Sequence, residues 1–231
     1  MTADAAPNAT HEGRSVVDHA ALVDLFGLLS YAELTACLRM AADAERAPHI
    51  DVQIALARMS SLEEAHFELL SARLTELGAD PEEAMRPFVP AVSAFHDRTR
   101  PRDWLEGLVK AYVGDGIARD FYREIGGRLP EADARLVRSV LADAGQDDFI
   151  VEVVGRAIAE DPPVAGRLAL WARRLVGEAI AQAQYVAVER EGLATLVVGG
   201  EGGLDLAELS RLFTRLTEAH VARMQRMGLA P

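Results

Sequence analysis

Apolar residues recur at intervals of three and four along six stretches of this chain, the spacing of amphipathic helices, and no stretch reads as a strand. The first covers about residues 17–47, with Phe26, Leu29, Glu33, Ala36, Cys37 and Met40 on one face, and Pro48 ends it. The second runs over about 49–77 and stops at Gly78 and the Asp80-Pro81 turn. So short a link makes the two antiparallel neighbours. Prolines 81, 87, 90 and 101 then weaken the pattern, and residues 81–97 read as a crossover that spans the end of a bundle. The third helix, about 101–125, turns Leu108, Ala111, Tyr112, Asp115, Ala118 and Tyr122 inward; the fourth, about 131–160, presents Leu136, Val140, Asp143, Ile150 and Val154, with Gln146 near that stripe. A fifth spans about 164–191 and a sixth about 206–227, joined by a glycine-rich link over 197–203. No strand precedes that link and no Lys-Ser or Lys-Thr follows it, so it does not read as a phosphate loop. Residues 1–15 read as a disordered tail and 16–231 as one all-α domain.

Polar residues interrupt these apolar faces at particular heights. Glu63 and His66, at i and i+3, share one side of the second helix with Met59, Leu62, Phe67 and Leu70. A carboxylate and an imidazole in such a stripe are metal-bound, hydrogen-bonded or at its polar edge, because an isolated buried charge costs several kcal/mol. Glu33 precedes Glu63 by 30 residues, the turn-around of one helical hairpin, so both carboxylates reach the same height. Asp115 precedes Asp143 by 28, and Asp143 and Gln146 repeat the i, i+3 spacing. Two hairpins packed face to face would gather Glu33, Glu63, His66, Asp115, Asp143 and Gln146 into one cluster, the arrangement by which helical bundles build paired-metal carboxylate sites. The bland reading of Asp115, Asp143 and Gln146 is polar surface or a hydrogen-bond network.

Composition narrows the function class. Hydrophobic residues make up 50% of the 231-residue chain but aromatics only 6%, which favours close-packed helices over a sheet. The net charge of -12 opposes binding to nucleic acid and to anionic membranes. One cysteine, Cys37, excludes an internal disulfide, and the polar start of the chain lacks a secretion signal. With no apolar run of membrane-spanning length, the expectation is a cytoplasmic protein.

On Ser61-Leu-Glu-Glu-Ala-His66, Glu33 and the helix carrying Val113 to Tyr122, the chain resembles the ferritin-like di-iron family, over about residues 17–190. Within it the resemblance is closest to the branch similar to tRNA-(2-methylthio-N6-isopentenyladenosine) hydroxylases. It implies a ferritin-like four-helix bundle with a long crossover and two additional C-terminal helices. Glu33, Glu63 and His66 would form one half of a metal site holding two iron ions if intact. Asp115 would stand for the third-helix glutamate, and Asp143 and Gln146 for the second Glu-x-x-His. Aspartate reaches less far than glutamate and glutamine is a poor ligand beside imidazole, so a degenerate site holding one ion or none is the alternative. An intact site implies a hydroxylase fed by an electron-donor reductase; a degenerate one implies a binding or structural protein without catalysis.

A tRNA substrate needs a positive approach surface, and Arg98, Arg100, Arg102, Arg167, Arg173 and Arg174 are few against the acidity. The Leu168, Trp171 and Leu175 stripe either offers a homodimer surface or packs within the monomer. Glu178, Gln182 and His220 read as ordinary packing, His49 and His96 as exposed, and Asp120, Glu124, Asp147 and Asp148 as solvated faces. A shifted helix phase would instead let Asp120 or Asp147 replace Asp115 or Asp143.

Overall fold

A computed structural model describes residues 18–125, 128–142, 146–199 and 206–231, and among them every regular element is helical. The tail expected over residues 1–15 lies outside the described residues. Helix α1 (His19–Arg46) opens where the Asp18 carboxylate accepts the Ala20 N–H at 3.1 Å, satisfying one of the free donors of the first turn. It runs antiparallel to α2 (Ile50–Glu76). The Gln53 side chain donates to the Ala47 carbonyl at 2.7 Å to close the turn, and Ser60 Oγ donates to the Cys37 carbonyl at 2.9 Å to tie the hairpin at mid-height.

The crossover is helical for most of its length: α3 (Pro81–Met85), a single 3-10 turn (Arg86–Phe88) and α4 (Val89–Arg98). It lies close on the hairpin because Gly27 of α1 has no Cβ; one there would strike the Ala84 carbonyl of α3. Helix α5 (Trp104–Ile125) is the central element and touches α1, α7, α8, α9 and α10. Of its expected inward face Leu108, Ala111 and Tyr112 are buried and Asp115 and Ala118 partly so, while the Tyr122 side chain lies outside the described residues.

The expected fourth helix is two helices, α6 (Glu131–Val140) and α7 (Gln146–Glu160). The described break falls at Leu141, which caps α6, and Ala142; residues 143–145 lie outside the described residues. Helix α8 (Val164–Glu189) is followed by a short α9 (Glu191–Val198), which takes up the start of what the sequence suggested was a flexible link; α10 (Leu206–Arg226) completes the chain. Leu168, Trp171 and Leu175 pack inside the monomer against α5 and its neighbours.

One expectation about α1 needs correction. By length and composition it is apolar enough to cross a membrane, because Asp24 and Glu33 are the only charged residues between His19 and Leu38 and the rest of that span is rich in Leu and Ala. In the fold its Leu25, Phe26, Leu29 and Met40 are buried in the bundle.

The apolar interior is divided in two. One cluster contains Met40, Met59, Leu108, Tyr112, Ile150, Trp171 and Met224; the other contains Leu29, Leu70, Ile125, Val137, Leu193 and Leu216. On α1 the change from one to the other falls around Glu33, on α2 around Glu63 and His66, on α5 after Asp115 and on α10 at His220. A polar layer therefore cuts across the bundle between two greasy cores, and its groups must find partners there.

Candidate metal centre

The hairpin supplies the first half of that layer. The antiparallel pairing fixed by the Ser60–Cys37 bond brings Glu33 of α1 beside the Glu63–His66 pair of α2. His66 Nδ1 stands 3.6 Å from a Glu33 oxygen and 3.7 Å from a Glu63 oxygen, and one ligand atom from each residue falls within 4.8 Å of the others. The three side chains are only 11%, 7% and 11% exposed for Glu33, Glu63 and His66. Among the described residues no other group of His, Cys, Asp or Glu lies close enough to share an ion.

A cavity of about 40 Å³ opens beside them, bounded by Glu33, Glu63, His66, Asp115 and Arg119 and closed by the end of α6. That is room for a water or an ion with little to spare. A larger open groove of about 490 Å³ between α8 and α10, lined by residues such as Ile180, Gln184, Leu209 and Phe213, shares none of these groups.

Electrostatics set the demand for a cation. Burial pushes the Glu63 carboxyl up to about 8; the adjacent imidazole opposes the shift and Glu33 reinforces it. Burial works against a charged His66, but the Glu33 and Glu63 carboxylates outweigh it and raise the imidazole to about 9. Asp115 is also driven well above its ordinary range, by burial first and then by Glu63, with Arg119 pulling the other way. Burial and crowding therefore favour the protonated forms of Glu63, His66 and Asp115 in the metal-free protein, with Arg119 the guanidinium that acts on Asp115. Two carboxylates and an imidazole around a small cavity fit one divalent ion, in kind and in number of donors.

The half contributed by α5 and α7 is different. Arg119, one turn beyond Asp115, donates to Asp147 at 2.6 Å and forms part of the cavity wall. Asp147 also faces Arg226 of α10 at 3.8 Å, and Asp148 pairs with the same arginine. Asp120 is held by Arg123 at 2.6 Å and by Arg223. Gly116 makes this last contact possible, since any Cβ would collide with the Arg223 side chain lying across α5.

The expected site residues therefore divide. Glu33, Glu63 and His66 come together and Asp115 lines the same cavity. Asp143 lies outside the described residues; Gln146 begins α7, but its side chain lies outside them too. Asp120 and Asp147 are buried and paired with arginine, which corrects their reading as solvated faces; each has one partner on α5 and one on α10, distant in sequence. Glu124 is half-buried against Arg215, and Asp148 is exposed as expected, though paired.

His96 is half-buried, with Nε2 3.2 Å from Thr35 Oγ1, instead of exposed, because the crossover packs onto α1. Glu178 pairs with Arg98 at 3.4 Å, while His220 is buried. The residue missed was Arg119. Its position four after Asp115 on the same helical pattern was a visible signal.

A family model described as ferritin-like domain, actinomycetes, matches residues 17–200, which takes in α1 through α9 and leaves out α10. No curated protein matches the chain.

Proposed function

Because the chain belongs to the ferritin-like domain family of actinomycetes, we propose that its bundle is a binding protein for one divalent cation, held by Glu33, Glu63 and His66 with Asp115 facing the same cavity. The observation that carries this reading is the convergence of three ligand atoms within 4.8 Å in a buried pocket. When bound, an ion there supplies the positive charge that two buried carboxylates lack. The chain's own part is to hold Glu33 across from the Glu63–His66 pair, release the protons of Glu63 and His66 on loading, and keep bulk water out with the two apolar cores.

The oxygenase reading uses the same half-site and adds a second ion. It is favoured by the Glu63–His66 spacing and by Asp115 at the cavity, and it requires Asp143 and Gln146 to act as ligands. It extends to a hydroxylase of the tRNA-modifying branch with a separate reductase. A tRNA substrate fits less well, since Arg98 pairs with Glu178 while Arg102 and Arg167 pair with Glu106, on a chain of net charge -12.

Elemental analysis of protein loaded anaerobically with Fe(II), or with Zn(II), separates the two. One equivalent that is lost in Glu63→Ala is the expected result. Two equivalents in the wild type favour the oxygenase, and uptake unchanged by Glu63→Ala overturns both.

A further inference from the structure

The wall of the cavity also carries a fixed positive charge. Arg119 reaches it from α5, anchored at 2.6 Å on Asp147, in a side chain only 20% exposed. Guanidinium does not give up its proton at any ordinary pH, so this charge is permanent, unlike the one on His66. Among the described residues, Glu33 and Glu63 would balance one dication, while Arg119 and Arg226 both face Asp147 and Arg226 also pairs with Asp148. A second dication beside Asp115 would enter next to like charge, at short range and with little water to screen it.

We propose that Arg119 is the specificity-determining residue of the centre: a built-in cation in the second half of the bundle that limits uptake to a single ion. The inference rests on the one-cation reading. Arginine here does by covalent attachment what a second ion would do by binding, and it directs the incoming ion to the hairpin side. Asp147, delivered by the first turn of α7, keeps the guanidinium at the cavity wall, and Arg226 from α10 lends Asp147 a second partner. It acts through the field it imposes on the cavity that it lines together with Asp115.

The test is titration of the full chain with Co(II), followed by visible absorption and by electron paramagnetic resonance, alongside Zn(II) stoichiometry by elemental analysis. Wild type and Arg119→Lys, which keeps the charge, are expected to take up one equivalent and to show isolated Co(II). Arg119→Gln is expected to take up a second equivalent, with the resonance signal diminished by coupling between neighbouring ions. Asp147 retains Arg226 in that variant, which protects the fold. The double variant Arg119→Gln/Asp147→Asn leaves neither partner unpaired and is expected to bind the second equivalent more weakly, through Asp115. Uptake fixed at one equivalent in both neutral variants overturns the role of Arg119 and leaves the one-cation reading standing. A wild type that binds no ion overturns both.

Discussion

The two halves of the polar layer hold similar numbers of carboxylates and treat them in opposite ways. In the α1–α2 hairpin, Glu33 and Glu63 share one imidazole, and their charge is met by protons. Across α5, α7 and α10, Asp120 and Asp147 are each met by two arginines, while Asp115, which faces the hairpin's cavity, behaves like Glu63. Buried carboxylates paired to guanidinium are structural elements, since the charge is already compensated when the chain folds. Carboxylates crowded around an imidazole carry a cost that only protons or a cation remove, and a fold retains such a cost where binding uses it. The acidic residues look alike in sequence; their partners separate them.

The largest expected effect lies on the hairpin side. His66→Ala and Glu63→Ala should weaken binding of Zn(II) by about 100-fold or more, measured by competition with a chelator, since even supporting residues of metal sites are worth 10–100-fold. An equal loss on Asp120→Ala would break the division between the halves.

Stability should show the reverse asymmetry. Removing a carboxylate on the arginine side, as in Asp120→Ala, leaves Arg223 buried without its partner and should cost about 3 kcal/mol in urea unfolding. Glu63→Gln in the metal-free protein removes a charge that burial disfavours and should be neutral or stabilising, by on the order of 1 kcal/mol at pH 9. Like losses in both variants would mean that the hairpin carboxylates are structural as well.

The pH dependence follows with its sign. Glu63 and His66 hold protons in the folded, metal-free state that the unfolded chain has already released, their values rising from 4.5 to about 8 and from 6.5 to about 9. Their contribution is full below the ordinary values and fades as pH climbs through about 8 to 9. The melting temperature of the metal-free protein should therefore fall by a few degrees, about 3 °C, between pH 6 and 9. Saturating Zn(II), which replaces those protons, should abolish the fall. On the acid side His96 and His220, lowered by burial to about 3 and about 4, stay neutral while the unfolded chain protonates, so stability also declines below about pH 6.5.

The smallest effect sharpens the contrast from the solvent side. Arg215 and Glu124 pair at 2.7 Å between α10 and α5, but with the arginine 44% exposed. Arg215→Ala should cost no more than about 0.5 kcal/mol, as exposed ion pairs do.

Much of this layout was legible in the sequence. The hairpin could be read because a short link forces antiparallel packing, so a 30-residue separation puts Glu33 and Glu63 at one height. Asp115 followed from the apolar period of α5. The break between α6 and α7 was not read, because the apolar pattern continues past the cap at Leu141. The arginine clamps were not read either. Pairing of Asp120 and Asp147 with Arg223 and Arg226 depends on where α10 returns, and a helix more than 70 residues away in sequence has no periodic relation to its target. His96 was misjudged for the same reason, since the crossover's docking onto α1 is set by Gly27 and Ala84, not by the pattern around the histidine.

The central claim is that one half of the layer takes an ion and the other already has its cations. Anomalous diffraction at the zinc edge, from crystals of the Zn(II)-loaded protein, tests it directly. The account predicts one peak ringed by Glu33, Glu63 and His66, with Arg119 still on Asp147. Two peaks about 3.5 to 4 Å apart, the spacing of paired-metal centres, or no peak at the hairpin, would contradict it.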